Sequence, residues 1–309
     1  MDSYELFERH PANPILDVNN LAYPANSVFN AGCTKYNNDT LLFLRIEDRE
    51  GISHFTKATS KNGIDNWNID TKPTMESQPE NFPEELWGIE DPRITYLDEL
   101  DKWVIAYTAY SGNGPLVSLA LTQDFKSFER LGIITPPENK DAALLPVKFN
   151  GLWALIHRPV PRMSGSKGNI WISFSPDLKY WGNHKPLLIS RSGGFWDSSK
   201  IGLSAQPIHT EEGWLLLYHG VKKLGSISIY RLGLALLDSN DPAIVLSRAS
   251  EWIFSPRMDY ERIGDVGNVT FSCGWILEGN TLKIYYGGAD TTMCLATGKL
   301  DEVLRFLKK

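Results

Sequence analysis

The sequence predicts an all-β protein folded as a five-bladed β-propeller, with its active site at the central channel. Most segments are short runs of β-branched, aromatic and leucine residues bounded by Gly, Asn, Asp or Pro, a pattern typical of strands. A short motif also recurs, in which a strand that ends in Ala or Ser leads into a polar turn. Its spacing of about sixty residues is typical of the repeats that build propellers and solenoids. The copies begin at Ala58, Ala120, Ser173, Ala235 and Ala296.

Eight segments carry the strand pattern, and convincing amphipathic helices are nearly absent. Five repeats of about four strands each would supply five blades. A β-sandwich in which the spacing is accidental is the alternative. A helical turn or two is expected near the C-terminus, in "DEVLRFLKK". In chain order the strand segments are "TLLFLRI", "KWVIAYTAY", "VSLALT", "LWALIHRP", "NIWISFS", "GWLLLYHGV", "YRLGLALLD" and "TLKIYYGGA".

Length, charge and cysteine content limit the class of protein. The chain has 309 residues, which fits one large all-β domain, so we expect a single catalytic propeller over residues 1–309. The net charge of −6 and the pI near 5.6 argue against a nucleic-acid or anionic-membrane partner. The N-terminus lacks the apolar run of a signal peptide, and no window approaches the about 18 apolar residues of a membrane span. Three scattered cysteines fit reduced thiols, and the predicted location is the cytoplasm.

Polar residues that interrupt apolar strands are candidates for function, because a buried charge without a partner is costly. In a propeller the innermost strand of every blade lines the channel, so we expect functional residues to be dispersed over the innermost strands. We assign "LLFLRIED" and "LLLYHGV" to such strands. Each candidate also has a structural interpretation: His219 would suit an ordinary core histidine, and Asp290 would suit a turn. The candidates are Asn30, Arg45, Glu90, Asp91, Arg93, His157, Arg158, Asp197, Lys200, His219 and Asp290.

The types of these residues indicate carbohydrate chemistry. The six His lack the spacing of zinc ligands, and the sequence contains neither a G-x-S-x-G elbow nor a P-loop, so we expect no metal and no cofactor. A carboxylic acid that protonates a leaving oxygen is the central requirement of glycoside cleavage. Arg158, Lys200 and His219 indicate that the second reactant is an anion, and inorganic phosphate fits these donors.

Seven motifs in this order resemble glycoside hydrolase family 130: "FNAG", "LLFLRIED", "WGIEDPRI", "HRP", "GFWDSSKIG", "YHGV" and "YYGGAD". The resemblance runs from about Asn30 to the C-terminal "DEVL" and implies a five-bladed propeller. It also implies an inverting phosphorylase that cleaves a β-1,2- or β-1,4-linked mannoside with inorganic phosphate and releases α-mannose 1-phosphate. The expected partners are a β-mannoside oligosaccharide and phosphate, and the choice between a monomer and a homo-oligomer is left open.

The resemblance implies three groups of site residues. The general acid protonates the glycosidic oxygen through the mannosyl 3-hydroxyl, a second group holds the mannosyl unit, and a third surrounds phosphate. At the third group, Lys140 and Asp141 depart from the Arg-Asn pair of many relatives. The matching residues are Asp91 for the acid, Asn30, Arg45 and Asp290 for the mannosyl unit, and Arg158, Lys200, His219 and Lys140 for phosphate.

Three other functions compete with this interpretation. The first is a β-mannoside hydrolase of the same family. The second is a hydrolase like the furanosidase propellers, which would need a nucleophilic carboxylate near the N-terminus, at Asp17 or Asp48. The third is a non-catalytic sugar-binding propeller, in which Asp91 is simply an ion-pair partner of Arg93.

The segment "WGIEDPRI" contains two adjacent acids, and we expect them to divide their tasks. In this interpretation Arg93 balances the charge of Glu90, which leaves Asp91 to face the substrate. The nearby Trp87, and Trp196 further along the chain, are expected either to stack on sugar rings or to pack between blades.

Overall fold

A computed structural model of the protein describes residues 5–161, 163 and 165–308, and it confirms the five-bladed propeller. Each blade is an antiparallel sheet, and we number the strands β1–β21 in chain order. From the channel outward, blade 1 contains β2 (Ser27–Tyr36), β3 (Asp39–Glu47), β4 (Ser53–Ser60) and β5 (Asn68–Ile69). Blade 2 contains β6 (Ile89–Leu97), β7 (Lys102–Ser111), β8 (Gly114–Thr122) and β9 (Glu129–Ile133). Blade 3 contains β10 (Asn139–Phe149), β11 (Leu152–Pro159), β12 (Ile170–Ser175) and β13 (Gly182–Leu188).

Blades 4 and 5 vary this plan. In blade 4 a short extra strand pairs with the second strand, and in blade 5 the outermost strand comes from the start of the chain. Blade 4 contains β14 (Lys200–Leu203), β16 (Gly213–Leu224), β17 (Ile227–Leu237), β18 (Val245–Arg248) and the extra β15 (Ile208–Thr210). Blade 5 contains β19 (Thr270–Glu278), β20 (Thr281–Gly288), β21 (Thr292–Lys299) and β1 (Glu8–Arg9).

The ring of blades is closed by the pairing of β1 with β21, in the register Glu8 to Thr297 and Arg9 to Ala296. Arg9 strengthens this closure because its guanidinium forms two hydrogen bonds, of 2.7 and 2.9 Å, with the fully buried carboxylate of Glu261. Such a forked pair fixes geometry as well as charge.

The recurring sequence motif marks one structural position. All five copies lie on the third strand of a blade, in β4, β8, β12, β17 and β21. In two copies, the tryptophan after the turn also forms the same hydrogen bond to a carbonyl of the turn. Trp67 donates to the carbonyl of Ile64 at 3.1 Å, and Trp181 donates to that of Leu178 at 3.0 Å. The repeat in the sequence therefore marks the third strand of each blade and the turn that follows it.

The assignment of two segments to innermost strands was wrong. The segment "LLFLRIED" lies in and just after β3, and "LLLYHGV" lies in β16, and both of these are second strands. A propeller blade buries its first and second strands alike between neighbouring blades. A run of apolar residues therefore does not distinguish them.

The hydrophobic core is divided among the blade–blade interfaces, and each interface holds its own cluster of buried side chains. The cluster between blades 1 and 2 contains Phe43 and Phe55 from one sheet and Ile105 from the other. Cys33, Cys273 and Cys294 are buried free thiols, as expected.

Helices are short in the described part of the chain. They are α1 (Asp259–Arg262) and α2 (Leu300–Leu307), with 3-10 turns at Val18–Asn20, Pro83–Glu85 and Asp98–Leu100. The second helix confirms the helical turns expected in "DEVLRFLKK". None of the helices described is long and apolar enough to cross a lipid bilayer.

Candidate functional site

A cavity of about 180 Å³ lies at the end of the channel where the innermost strands begin. The structure brings all eight predicted site residues to its wall, from every one of the five blades. Four of them lie on innermost strands, whereas Arg45, Arg158 and His219 lie on second strands and Asp290 follows one. The wall consists of Asn30, Arg45, Asp91, Lys140, Asp141, Arg158, Lys200, His219, Tyr230, Val266, Val269, Phe271 and Asp290.

Three successive blades use the same backbone device to direct a polar side chain to this cavity. Asn30, Asp91 and Asp141 have φ angles of 48°, 53° and 56°, in the left-handed region. Each lies at a register shift between the first and second strands of its blade. Asn and Asp enter this conformation more readily than other residues with a Cβ, and such bulges often re-aim side chains next to active sites. The motifs "FNAG", "EDPR" and "KDAA" are therefore three versions of one site-forming turn.

Asp91 is buried, and two donors converge on one of its oxygens. The Nδ2 atom of Asn30 lies 3.0 Å from Oδ1, and Nη1 of Arg45 lies 2.9 Å from the same atom. Burial alone would raise the pKa of Asp91, but the charges of Arg45 and Lys140, with smaller help from Arg93 and Asn30, lower it below its usual value. When no ligand is bound, Asp91 is therefore a carboxylate, and neither Asn30 nor Arg45 donates to its Oδ2.

The expected pairing of Glu90 with Arg93 was wrong. Glu90 instead faces Nη2 of Arg45 at 3.2 Å and Nζ of Lys140 at 3.8 Å. The bulge at Asp91 separates Glu90 from Arg93, whose buried guanidinium donates to the carbonyls of Leu203 at 2.9 Å and of Ser204. Arg93 therefore joins blade 2 to blade 4, and Glu90 belongs to the charge network of the cavity.

Asp141 organises the basic side of the cavity. Its Oδ2 accepts a hydrogen bond from Nε of Arg158 at 2.6 Å and lies 3.6 Å from Nε2 of His219. Its Oδ1 lies 3.5 Å from Nη2 of Arg93. Burial opposes the charge of Asp141, but Arg158 and the other basic groups hold its pKa far below the usual range. The acid beside Lys140 thus positions basic residues.

The basic residues differ in charge. Burial and the neighbouring charge of Arg158 lower the pKa of Lys200 to about 8, so this ammonium is charged at neutral pH. Its Nζ lies 5.1 Å from the ring centre of Tyr230, within reach of a cation–π contact. Burial lowers the pKa of His219 to about 3, although Asp141 opposes this shift. His219 is therefore a neutral hydrogen-bonding group when no ligand is bound, and its place among the residues that surround phosphate stays a prediction.

Asp290 provides a second carboxyl group, whose pKa is shifted in the opposite direction to that of Asp91. It follows Ala289 in a turn where both residues have left-handed φ angles, of 48° and 49°. Its Oδ1 is buried, and no group among the described residues forms a hydrogen bond with it. Burial and the negative charge of Asp91 raise the pKa of Asp290 to about 7, against the charges of Arg45 and Lys140. One site therefore contains an ionised Asp91 and an Asp290 that titrates near neutrality.

Several other candidates lie outside the cavity. Asp197 is buried and forms ion pairs with Arg248 at 2.7 Å and Arg191 at 3.6 Å, so its role is structural. Trp196 is buried and stacks on Tyr218, with ring centres 5.6 Å apart, which is blade packing.

Neither acid proposed for a furanosidase-like nucleophile is part of the cavity wall. Asp17 caps a 3-10 turn through the amide of Asn19 at 2.8 Å. Asp48 accepts the amides of Glu50 and Ile52 in a surface turn. Both side chains are engaged in local turn structure.

Sequence reasoning missed the apolar wall of the cavity. Tyr230 and Phe271 both lie close to the His219 ring, with ring centres 6.1 and 4.7 Å from it. They look like ordinary strand residues in the sequence, so no local signal identifies them. Asp141 did carry a signal, because it repeats the polar position of Asn30 and Asp91 ahead of a small or cyclic residue.

Comparison with known proteins adds independent information. Residues 5–309 match the profile of glycoside hydrolase family 130, described as beta-1,4-mannooligosaccharide phosphorylase. A beta-1,2-mannobiose phosphorylase of Listeria innocua is 35% identical, over 98% of this chain and 98% of its own. A beta-1,4-mannooligosaccharide phosphorylase of Ruminococcus albus is 35% identical, over 99% of this chain and 92% of its own.

The fold agrees with these similarities. The solved structure of a Listeria innocua beta-1,2-mannobiose phosphorylase, in complex with beta-1,2-mannobiose, superposes with a TM-score of 0.89. It is 34% identical and covers 100% of this chain and 99% of its own. The match of the family profile to nearly the whole chain, the level of identity and the shared propeller lead to one conclusion. The chain belongs to glycoside hydrolase family 130.

Proposed function

We propose that this protein is an inverting β-mannoside phosphorylase, which transfers a terminal mannosyl unit to inorganic phosphate and releases α-mannose 1-phosphate. The observation that carries the proposal is the division of one cavity into two halves. Blades 2 and 5 supply the carboxyl groups of Asp91 and Asp290, and blade 1 supplies Asn30 and Arg45. Blades 3 and 4 supply Lys140, Arg158 and Lys200, and the carboxylate of Asp141 on this side is paired with Arg158. The first half suits a sugar and its leaving oxygen, and the second suits an anion.

In the proposed reaction Asp91 is the general acid. Its Oδ1 is held by Asn30 and Arg45, so Oδ2 is the atom that carries the proton. The proton passes through the mannosyl 3-hydroxyl to the glycosidic oxygen as the bond from that oxygen to the anomeric carbon breaks. A phosphate oxygen forms the new bond to the anomeric carbon from the opposite face, which inverts its configuration.

Phosphate would also prepare the acid. Lys140 is one of the charges that lower the pKa of Asp91. A phosphate dianion paired with Lys140 would offset this charge and raise the pKa of Asp91. Proton donation would then be favoured when both reactants are present.

The names of the relatives support the phosphorylase assignment over hydrolysis, and they include both β-1,2 and β-1,4 linkages. The basic half of the cavity favours the same choice, because a hydrolase needs a carboxylate that activates water rather than three cations.

The experiment is to incubate the protein with β-1,2- and β-1,4-mannobiose, with and without phosphate, and to follow sugar phosphates by phosphorus NMR. We expect α-mannose 1-phosphate only when phosphate is present, and the coupling pattern of its anomeric proton reports the configuration. Cleavage at the same rate without phosphate would establish a hydrolase instead. Saccharide binding without any cleavage would indicate a sugar-binding propeller.

A further inference from the structure

The proposed reaction sets the direction in which the leaving saccharide extends. In an inverting displacement, the attacking phosphate oxygen and the leaving oxygen lie on opposite faces of the anomeric carbon. The cations proposed to bind phosphate, Lys140, Arg158 and Lys200, come from blades 3 and 4. The blades follow one another around the ring in chain order, so the blade opposite the junction of blades 3 and 4 is blade 1. The leaving saccharide therefore extends towards blade 1 and its junction with blade 2, which supplies Asp91.

Two aromatic residues, Trp87 and Tyr110, are exposed at the junction of blades 1 and 2, with exposed fractions of 43% and 37%. Trp87 lies in the segment 70–88, which connects the two blades, and Tyr110 lies near the end of β7. Their ring centres are 5.4 Å apart, and their planes are inclined at 68°. Neither belongs to a core cluster of the described residues, so Trp87 does not serve as packing between blades. We call this pair the aromatic platform.

A short series of contacts connects the aromatic platform to the proposed acid. Gly88, next to Trp87, forms a backbone bridge with Ser53 of blade 1. The hydroxyl of Ser53 accepts a hydrogen bond of 3.0 Å from Nε of Arg45, whose Nη1 contacts Asp91. Gly88 has a φ angle of 101°, and a Cβ atom there would lie 2.6 Å from the amide nitrogen of Ser53, so this approach requires glycine. The platform therefore lies at the mouth of the cavity, beyond Arg45 and Ser53.

Buried contacts fix the backbone of the aromatic platform. The carboxylate of Glu85, two residues before Trp87, is fully buried. It accepts a hydrogen bond from Oη of Tyr107 at 2.7 Å and pairs with Arg130. The main-chain amide of Trp87 donates to the carbonyl of Tyr110 at 2.8 Å, which ties the segment to β7. Aromatic side chains on a fixed backbone lose little conformational freedom when they bind a ligand.

The polar atoms of the aromatic platform are available to a ligand. Within the described part of the chain, neither Nε1 of Trp87 nor Oη of Tyr110 forms a hydrogen bond. Six other tryptophans, by contrast, donate their indole N–H to an acceptor of the protein. The C–H face of a pyranose ring packs against an aromatic ring, and its hydroxyl groups need hydrogen-bond partners. The platform offers both kinds of contact.

We propose that the aromatic platform is a subsite for the leaving saccharide beyond its first unit, in a β-mannooligosaccharide of three or more units. The first leaving unit is joined to the oxygen that Asp91 protonates, so it lies over Arg45 and Ser53, and the next unit reaches the platform. The ring of Trp87 packs against the apolar face of that sugar, and Nε1 of Trp87 and Oη of Tyr110 bond its hydroxyl groups. This inference rests on the proposed phosphorylase function, but it concerns preference for chain length and not the chemical step.

The test compares substrates of two to five mannose units in the linkage that the wild type cleaves. We expect Trp87→Ala and Tyr110→Ala to lower kcat/KM for three or more units by about tenfold, and to leave the disaccharide and the KM for phosphate unchanged. Trp87→Phe should recover part of the loss, because it retains an aromatic face without the indole N–H. The matched control is Tyr180→Ala, since Tyr180 is 77% exposed and follows the end of β12, at the opposite end of the propeller.

Equal losses for the disaccharide and the longer substrates, or no loss for either, would overturn the subsite. A second measurement is independent of turnover: calorimetric titration with the β-1,2- and β-1,4-linked oligosaccharides in the absence of phosphate. Weaker binding of the pentasaccharide by Trp87→Ala, with unchanged binding of the disaccharide, supports the subsite even if the protein catalyses no phosphorolysis. Absence of mannose 1-phosphate at every chain length would refute the proposed function alone.

Discussion

The ion pair between Arg45 and Asp91 joins two blades inside the cavity, with Nη1 and Oδ1 2.9 Å apart. Arg45 comes from the second strand of blade 1, and Asp91 comes from the innermost strand of blade 2. The guanidinium also lies over the ring of Phe29 at 4.5 Å and contacts Glu90 at 3.2 Å. The position of the proposed acid is therefore fixed by a neighbouring blade, and its charge is set by the same contact.

Asp91→Asn should fold normally and lose activity by about 10²–10⁴-fold in kcat, the usual contribution of a general acid. The amide retains the shape of the side chain but donates no proton to a leaving oxygen. The measurement is the initial rate of mannose 1-phosphate release, with the melting temperature as a check on folding. A rate close to that of the wild type would remove Asp91 from the mechanism. Asp98→Asn, at an exposed position in the turn after the same strand and outside the cavity wall, is the control, and it should retain the rate.

The titration of Asp290 should be visible in stability. Its pKa is raised from 3.8 to about 7 in the folded protein, so between these values the folded state binds more protons than the unfolded state. The free energy of unfolding therefore falls as pH rises from about 4 to 7, and the neutral Asp290→Asn lacks this loss. Between pH 4 and pH 8, the free energy of unfolding should fall by on the order of 2 kcal/mol more in the wild type than in Asp290→Asn. Urea unfolding at both pH values measures this difference, and an identical difference in both proteins would contradict it.

Lys200→Ala should weaken the use of phosphate by about 2–4 kcal/mol, because a partly buried charge-assisted contact is lost. The KM for phosphate should rise, and the KM for the mannoside should change little. Lys222→Ala, at a half-buried lysine of the same blade that is not part of the cavity wall, is the control. An unchanged phosphate saturation curve would argue against a phosphate contact.

The same lysine predicts a pH limit for the wild type. Because the pKa of Lys200 is lowered to about 8, its charge is lost as pH rises above that value. The KM for phosphate should therefore increase above pH 8. Lys200→Arg should move this increase to higher pH, since a guanidinium remains charged there. The check is a pH series of phosphate saturation curves for both proteins.

Gly202→Ala should inactivate the protein by displacing the basic half of the cavity. A Cβ atom at this buried position of β14 would collide with Oδ2 of Asp141 and with the ring of His219. Overpacking of this kind costs about 1–3 kcal/mol and would disturb the contact of Asp141 with Arg158. Gly182→Ala is the matched control, because open space surrounds that strand glycine. Retained phosphate affinity in Gly202→Ala would show that the Asp141 position is not critical.

The blade count was predictable because each blade repeats the same constraint. An Ala or Ser packs near the end of the third strand, and a polar turn must follow it. The depth of a strand within its blade was not predictable. The first and second strands are both buried, so β3 and β16 carry the same apolar signal as the strands that line the channel.

The candidate site was predictable to the extent that its polar residues interrupt apolar runs. The partners of those residues were not. Arg93 binds the carbonyls of Leu203 and Ser204, which lie more than a blade away in the sequence, and nothing near Arg93 reveals them. The neutral state of His219 likewise depends on burial by blades that fold around it.

The strand pair that closes the ring has a consequence for how the site comes into existence. Glu8 must meet Thr297 to complete blade 5, which also supplies Asp290, so the acid side of the cavity depends on a contact between opposite ends of the chain. Such distant contacts form late and slowly in folding. Newly synthesised chains should therefore acquire ordered blades before they acquire activity, and a chain that lacks its first strand would be expected to lose the position of Asp290 in the cavity wall first.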